Sequence, residues 1–146
     1  MTVVPKQFSH PIVFLLLYIP FGACNGFLTV TIVYLLGRAG VDPVDIAILV
    51  SLALLPQTLK FIYAPLVDLT FSRKKWFVFS SMTSAIGIAI LGFVPANESG
   101  MPWLKILVVA CNFSTALLSM AVESLMAYNT PPGELGRTAG WFQSGN

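Results

Sequence analysis

Apolar positions in this chain gather into four long runs separated by short polar breaks, at about 11–36, 44–67, 76–94 and 104–126. At 1.5 Å of rise per residue, a helix of roughly 20 such residues crosses the ~30 Å hydrocarbon core of a bilayer, whereas helices of soluble domains are usually shorter and one-sided. The pattern therefore predicts an all-α membrane protein with four spans. The breaks are a leader over 1–10 with Lys6 and His10, a tight turn from Gly37 to Pro43, a charged link ending in Arg73, Lys74 and Lys75, and a loop from Pro95 to Pro102. A connector, Tyr128 to Arg137, then leads to a fifth apolar segment that begins near Thr138 and is cut off at Asn146. A secretory signal ending at the Phe-Gly-Ala-Cys of Cys24 is excluded by length, because the apolar run continues well beyond the ~7–15 residues of a signal core.

Composition agrees with the pattern. Of the 146 residues, 56% are hydrophobic and 10% charged, with mean hydropathy +0.82, against about 25% charged in soluble domains. A net charge of +2 with no interleaved basic and aromatic stretch gives nucleic acid nothing to bind. The cations report topology instead. With the N-terminus in the cytoplasm, Lys6, Arg73, Lys74, Lys75 and Arg137 lie inside, and Arg38 and Lys105 outside, as the positive-inside rule favours. Asn97-Glu98-Ser99 would then face outward as a glycosylation acceptor, although such tripeptides are frequent by chance. Cys24 and Cys111 have no C-x-x-C partner and His10 has no companion at metal spacing, so no metal, cofactor or catalytic constellation is expected.

The stretch from Pro56 to Lys75 carries the strongest functional signal. Lys60 sits inside an apolar helix that also contains Pro65, and Asp68 ends it. A charge at the centre of a membrane helix costs about 2.5–3.5 kcal/mol on insertion scales, so those retained usually serve function. A carboxylate at a helix C-terminus is opposed by the macrodipole, which predicts a partner for Asp68: Arg73, Arg137 or a helix N-terminus. Two polar stripes recur at helical spacing, Tyr18, Gly22, Asn25 and Thr29 on the first span and Asn112, Thr115, Ser119 and Glu123 on the fourth. Hydroxyls bonding their own backbone and close packing at Gly22-x-x-x-Gly26 explain part of these stripes equally well. Ser81, Ala85 and Ala89 form a small-residue ridge predicted to serve helix packing.

These residues carry a resemblance. Asp68 with Arg73, Lys74 and Lys75 partly matches the Gly-x-x-x-Asp-Arg-x-Gly-Arg-Arg link of the major facilitator superfamily, with Ala64, Leu69 and Ser72 departing from it and one residue more. Pro56, Lys60, Phe61, Ala64, Pro65 and Asp68 match the Pro-x-x-x-Lys-Phe-x-Trp-Ala-Pro-x-x-Asp helix of the AmpG-type muropeptide permeases and acetyl-CoA transporters, with Tyr63 in place of tryptophan. Glu123 stands where that branch has an aspartate, and Gly136-Arg137 resembles the start of its fifth helix.

The resemblance implies the first four spans of a twelve-helix carrier, working by alternating access and driven by protons, in the inner or plasma membrane. Its partners would be a small solute, H+, the lipid bilayer and the C-terminal part of the same carrier. Such carriers line their cavity with the first and fourth helices, so Tyr18, Asn25, Thr29, Asn112, Thr115 and Ser119 become candidates for solute binding. Lys60, Asp68, Arg73, Glu123 and Arg137 become candidates for coupling and gating, with Lys60 the expected electrostatic neighbour of Glu123, whether for proton coupling or as a structural ion pair. Four spans alone would lack the other half of such a cavity, so this stretch by itself is expected not to transport. Other readings are a folate- or pterin-type carrier, whose corresponding helix has a looser Pro-x-x-x-Lys, and a non-transporting structural membrane subunit, which would not call for Lys60, Asp68 or Glu123.

Overall fold

The structure, a computed structural model, describes residues 10–70 and 72–146, apart from the side chains of Leu66 and Asp68. Among these residues every regular element is helical. The first apolar run forms one continuous helix, α1 (Ile12–Arg38), that loosens into a π-helical turn at Phe27–Thr31. At the start of that turn the Thr29 hydroxyl donates to the Asn25 carbonyl at 2.7 Å, the acceptor that an undisturbed α-helix gives to the amide four residues on.

The turn after α1 is dictated residue by residue. Gly40 has φ +76°, a left-handed conformation open to glycine. It lets the Gly40 amide donate to the Gly37 carbonyl and the Val41 amide to the Leu36 carbonyl, both at 3.2 Å, the paired bonds of a Schellman cap. Leu36 and Val41 are both buried beside this cap. Helix α2 (Pro43–Thr58) then starts at once: Asp42 Oδ1 accepts from the Val44 amide at 2.9 Å, and Pro43 occupies the first helical position, where its missing N–H costs nothing.

Helix α2 breaks at Leu59 and resumes as α3 (Lys60–Leu69). Leu59 donates to the Leu55 carbonyl at 3.1 Å and Ile62 to the Leu59 carbonyl at 3.0 Å. The Pro56 carbonyl instead accepts the Tyr63 hydroxyl. Helix α4 (Arg73–Leu91) follows, then α5 (Met101–Asn129), which is entered through a short turn capped by Asn97, and α6 (Leu135–Gln143). Ile12–Arg38, Pro43–Pro65 and Glu98–Asn129 are long and apolar enough to cross a membrane. The predicted third span, 76–94, corresponds to α4, which starts three residues earlier and takes in Arg73, Lys74 and Lys75. Helices 101–129 and 135–143 likewise begin three residues before the predicted starts at 104 and 138.

Helix α5 is the hub. Its most apolar window is 56% buried, against 28% for α1 and 17% for the α2–α3 span, and it packs on α1, α2, α3 and α4. Lipid tails are as apolar as leucine, so helix association depends on close fit and on small residues at crossings. The α4–α5 seam shows this and corrects the expected ridge. Ala85 and Ala89 are exposed, and the buried face carries Trp76, Ser80, Ser84 and Leu91. Trp76 and Leu91 fix the rotation because each has a large apolar surface to bury. Between them, a Cβ on Gly87 would collide with Cys111 Sγ, so any side chain there requires the thiol or the helix to move. A Cβ on Gly22 would come within 2.5 Å of the Gly145 carbonyl oxygen, while Gly26 has open space. The Gly22-x-x-x-Gly26 pair therefore makes one close contact, with the chain just after α6.

Candidate functional site

The break at Leu59 makes Lys60 the first residue of α3, and its side chain reaches across to α5. Lys60 Nζ donates to Ser119 Oγ at 2.7 Å and lies 3.4 Å from Glu123 Oε1. Ser119 Oγ in turn donates to the same Glu123 oxygen at 2.5 Å. Ser119 and Glu123 are one helical turn apart on α5, so their side chains project from one face. The result is an ion pair bridged by a hydroxyl, joining α3 to α5. It is not sealed: the two side chains are 27% and 45% exposed.

Tyr18 brings α1 to the same place. Its phenol lies beside Ser119 and Glu123, and its buried ring stacks on Phe21 at 4.6 Å and tilts against Phe142 of α6 at 3.9 Å. Three helices thus meet around the Lys60–Ser119–Glu123 group, with α6 backing Tyr18 through Phe142. A cleft of about 330 Å³ opens next to it, between α3 and α5, lined by Ala64, Val67, Met120, Glu123, Ser124 and Tyr128.

Arg73 closes the far end of that cleft. Its Nε donates to Ser124 Oγ at 2.6 Å and its guanidinium lies 3.6 Å from the centre of the Tyr128 ring, a charge-assisted hydrogen bond combined with a cation–π contact. The side chain of Asp68 lies outside the described residues. Arg137 is exposed on α6, in a shallow depression with Gly140, Trp141 and Ser144. Among the described residues the ion pairs are Lys60–Glu123 and Lys105–Asp45, the latter at 2.8 Å between the first turns of α5 and α2.

The remaining candidates bond within their own helices. Asn112 Nδ2 donates to the Val108 carbonyl and Thr115 Oγ1 to the Asn112 carbonyl, both at 3.0 Å, and both residues are buried. Asn25 and Thr29 are half-buried around the π-helical turn. The structure therefore brings together Tyr18, Lys60, Ser119 and Glu123, with Arg73 at the far end of the cleft, and holds Asn112 and Thr115 against backbone. Cys24 and Cys111 are free thiols, and no group of three metal-ligating side chains occurs among the described residues.

Sequence reasoning missed Ser124, Tyr128 and Phe142. The spacing of Ser124 and Tyr128, four residues apart on the stripe beside Glu123, was a usable signal for Arg73. Nothing in the spacing pointed Phe142 at Tyr18. A model of the BT1 family matches residues 22–132, well over half of the chain and spanning Lys60, Arg73, Ser119 and Glu123. No curated protein and no solved structure matches.

Proposed function

We infer the function from this premise: the chain belongs to the BT1 family, a family of membrane transporters. On that basis we propose that it moves a small solute by alternating access, coupled to protons, within a carrier of twelve-helix, major-facilitator type. The observation that supports this reading is the bridged pair of Lys60 and Glu123, which links the broken α2–α3 span to the hub helix through a group able to take up a proton.

The cycle proposed runs as follows. With Glu123 ionised, Lys60 and Ser119 hold α3 against α5. A proton on Glu123 removes its charge and leaves Lys60 with the Ser119 oxygen alone, weakening that hold. A contact present in one state and weakened in the other biases their equilibrium by its own free energy. The break at Leu59, where the helical ladder is already interrupted, is the hinge on which α3 swings. Tyr18, Asn25, Thr29, Asn112, Thr115 and Ser119 face the solute path in this reading, and Asn112 and Thr115 exchange backbone bonds for solute as the cavity opens.

Three solute classes follow from the family likenesses of the Pro56–Asp68 helix: muropeptides, coenzyme-A thioesters, and pterins or folates. Proteoliposomes carrying the full carrier should accumulate a member of one class when the outside is made acidic. Failure of all three to enter against a gradient would overturn the solute assignment, and entry indifferent to the pH difference would overturn the coupling.

Two further expectations attach to this reading. Asp68→Asn should reduce transport by at least tenfold while leaving expression and membrane insertion unchanged, since it removes a carboxylate from a helix end where only a gate partner would favour it. Normal uptake by this variant would remove Asp68 from the gate. For orientation, single cysteines at Ser72 and Ser99 in a cysteine-free background should react with an impermeant maleimide from opposite sides, Ser99→Cys from outside. Labelling of both from outside would overturn the N-terminus-inside topology.

A further inference from the structure

A second cavity lies on the opposite face of the bundle from the Lys60–Glu123 cleft. It is a groove of about 400 Å³ between the first turns of α1, the first turns of α4 and the end of α5. Val13, Phe14, Leu17, Phe77, Val78 and Leu125 make its walls, and among the described residues Lys74 and Asn129 are its polar lining residues. The lining is thus apolar along its length, with one cation and one amide.

The basic turn splits its cations between the two faces. Arg73 is engaged with Ser124 and Tyr128 inside the bundle. Lys74, one residue on and about 100° round the helix, lies on the groove instead. The first turn of α4 contains no acidic residue, and among the described residues neither Lys74 nor Lys75 has a carboxylate partner. A lysine stem can lie along apolar surface while its ammonium reaches the membrane interface. The site therefore offers an apolar slot and, among the described residues, a positive charge with no carboxylate partner.

We propose that this groove binds an anionic phospholipid of the leaflet on the side of the Arg73–Lys75 turn. One acyl chain lies along Phe14, Leu17, Phe77 and Leu125, and the phosphate rests on the Lys74 ammonium; Asn129 Nδ2, which donates one hydrogen to the Leu125 carbonyl at 2.8 Å, turns its other hydrogen to the phosphate. Charge complementarity selects this occupant: a zwitterionic lipid fills the same slot but brings its own cation to Lys74. The site is separate from the transport reading and does not depend on the solute.

The test is native mass spectrometry of the full-length carrier in detergent, titrated with phosphatidylglycerol and, separately, with phosphatidylcholine of the same acyl chains. The wild type should retain phosphatidylglycerol preferentially. Lys74→Gln should weaken phosphatidylglycerol about fivefold, the equivalent of one lysine near an anionic surface, and leave phosphatidylcholine unchanged. Leu17→Trp, which fills the groove and spares the charge, should weaken both lipids. Equal retention of the two lipids by the wild type would overturn the proposal. So would phosphatidylglycerol binding that survives Leu17→Trp, because the groove would then be occupied by another segment of the chain or by a partner protein. If Lys74→Gln does not yield folded carrier, Lys74→Arg serves instead and should keep the preference. Its loss in that variant would overturn the charge assignment.

Discussion

Replacing Glu123 with glutamine should abolish uphill accumulation of solute while exchange down a gradient continues. Glutamine keeps the shape of the side chain and can still accept from Ser119 and Lys60, so the α3–α5 contact persists in weakened form. What it cannot do is alternate between a charged and a neutral state. The equilibrium between access states then no longer responds to the proton gradient, and the accumulation ratio should fall to unity under an imposed pH difference. Counterflow in the absence of a gradient should stay within a few fold of wild type. Lys60→Met separates this from a merely structural role. It leaves Glu123 without its cation and with Ser119 as its donor, a modest loss for a half-exposed pair but one that removing both members should offset. Lys60→Met with Glu123→Gln should therefore recover expression and thermal stability toward wild type without recovering accumulation. Equal loss of accumulation and counterflow in Glu123→Gln would mark the pair as structural and withdraw the coupling proposal.

Gly87→Ala should destabilise the bundle by about 1–3 kcal/mol, the usual cost of overpacking a tight interface, and Cys111→Ala should reverse most of it. A Cβ at Gly87 collides with Cys111 Sγ, whereas Cys111 Cβ is 3.8 Å away, at ordinary contact distance, and no other atom lies within 4 Å. Cys111 is itself buried, at 3% exposure, and a helix disfavours one of the three rotamers of its thiol, which limits how the thiol can turn aside. The clash is relieved by that turn at the low end of the cost and by a shift of α4 against α5, the contact on which much of the packing rests, at the high end. A fluorescence thermal-melt series on wild type, both single variants and the double variant gives the coupling directly. Additive effects of the two substitutions would show that the seam lies elsewhere.

The sequence alone determined the class of molecule and much of its chain path. Long apolar runs have one use in a bilayer, where every backbone amide must be satisfied within its own segment or a closed barrel. Gly40, Asp42 and Pro43 specify the α1–α2 turn through conformations and bonds that are local to each residue, and local chemistry is legible in a linear string. Lys60 and Glu123 were legible, as a pair, for a related reason: a charge in an apolar run is costly enough to be visible, and an opposite charge in another span is its natural neighbour; the structure sets the two 3.4 Å apart.

Tertiary structure decided what those residues meet. Sequence spacing allowed α4 to bury either Ser81, Ala85 and Ala89 or the neighbouring face, because both carry small residues at helical intervals. The burial of Trp76 and Leu91 and the approach of Cys111 to Gly87 chose the second. Asn112 and Thr115 fit a cavity stripe as well as Ser119 and Glu123 do, yet they bond to carbonyls of their own helix, a choice that depends on which neighbour covers each turn of α5. The bridge from Lys60 through Ser119 to Glu123 joins residues about sixty positions apart. The pairing of the two charges was expected from the chain, but the bridging place of Ser119 was not: it exists because the helix breaks at Leu59 and α5 passes at that height.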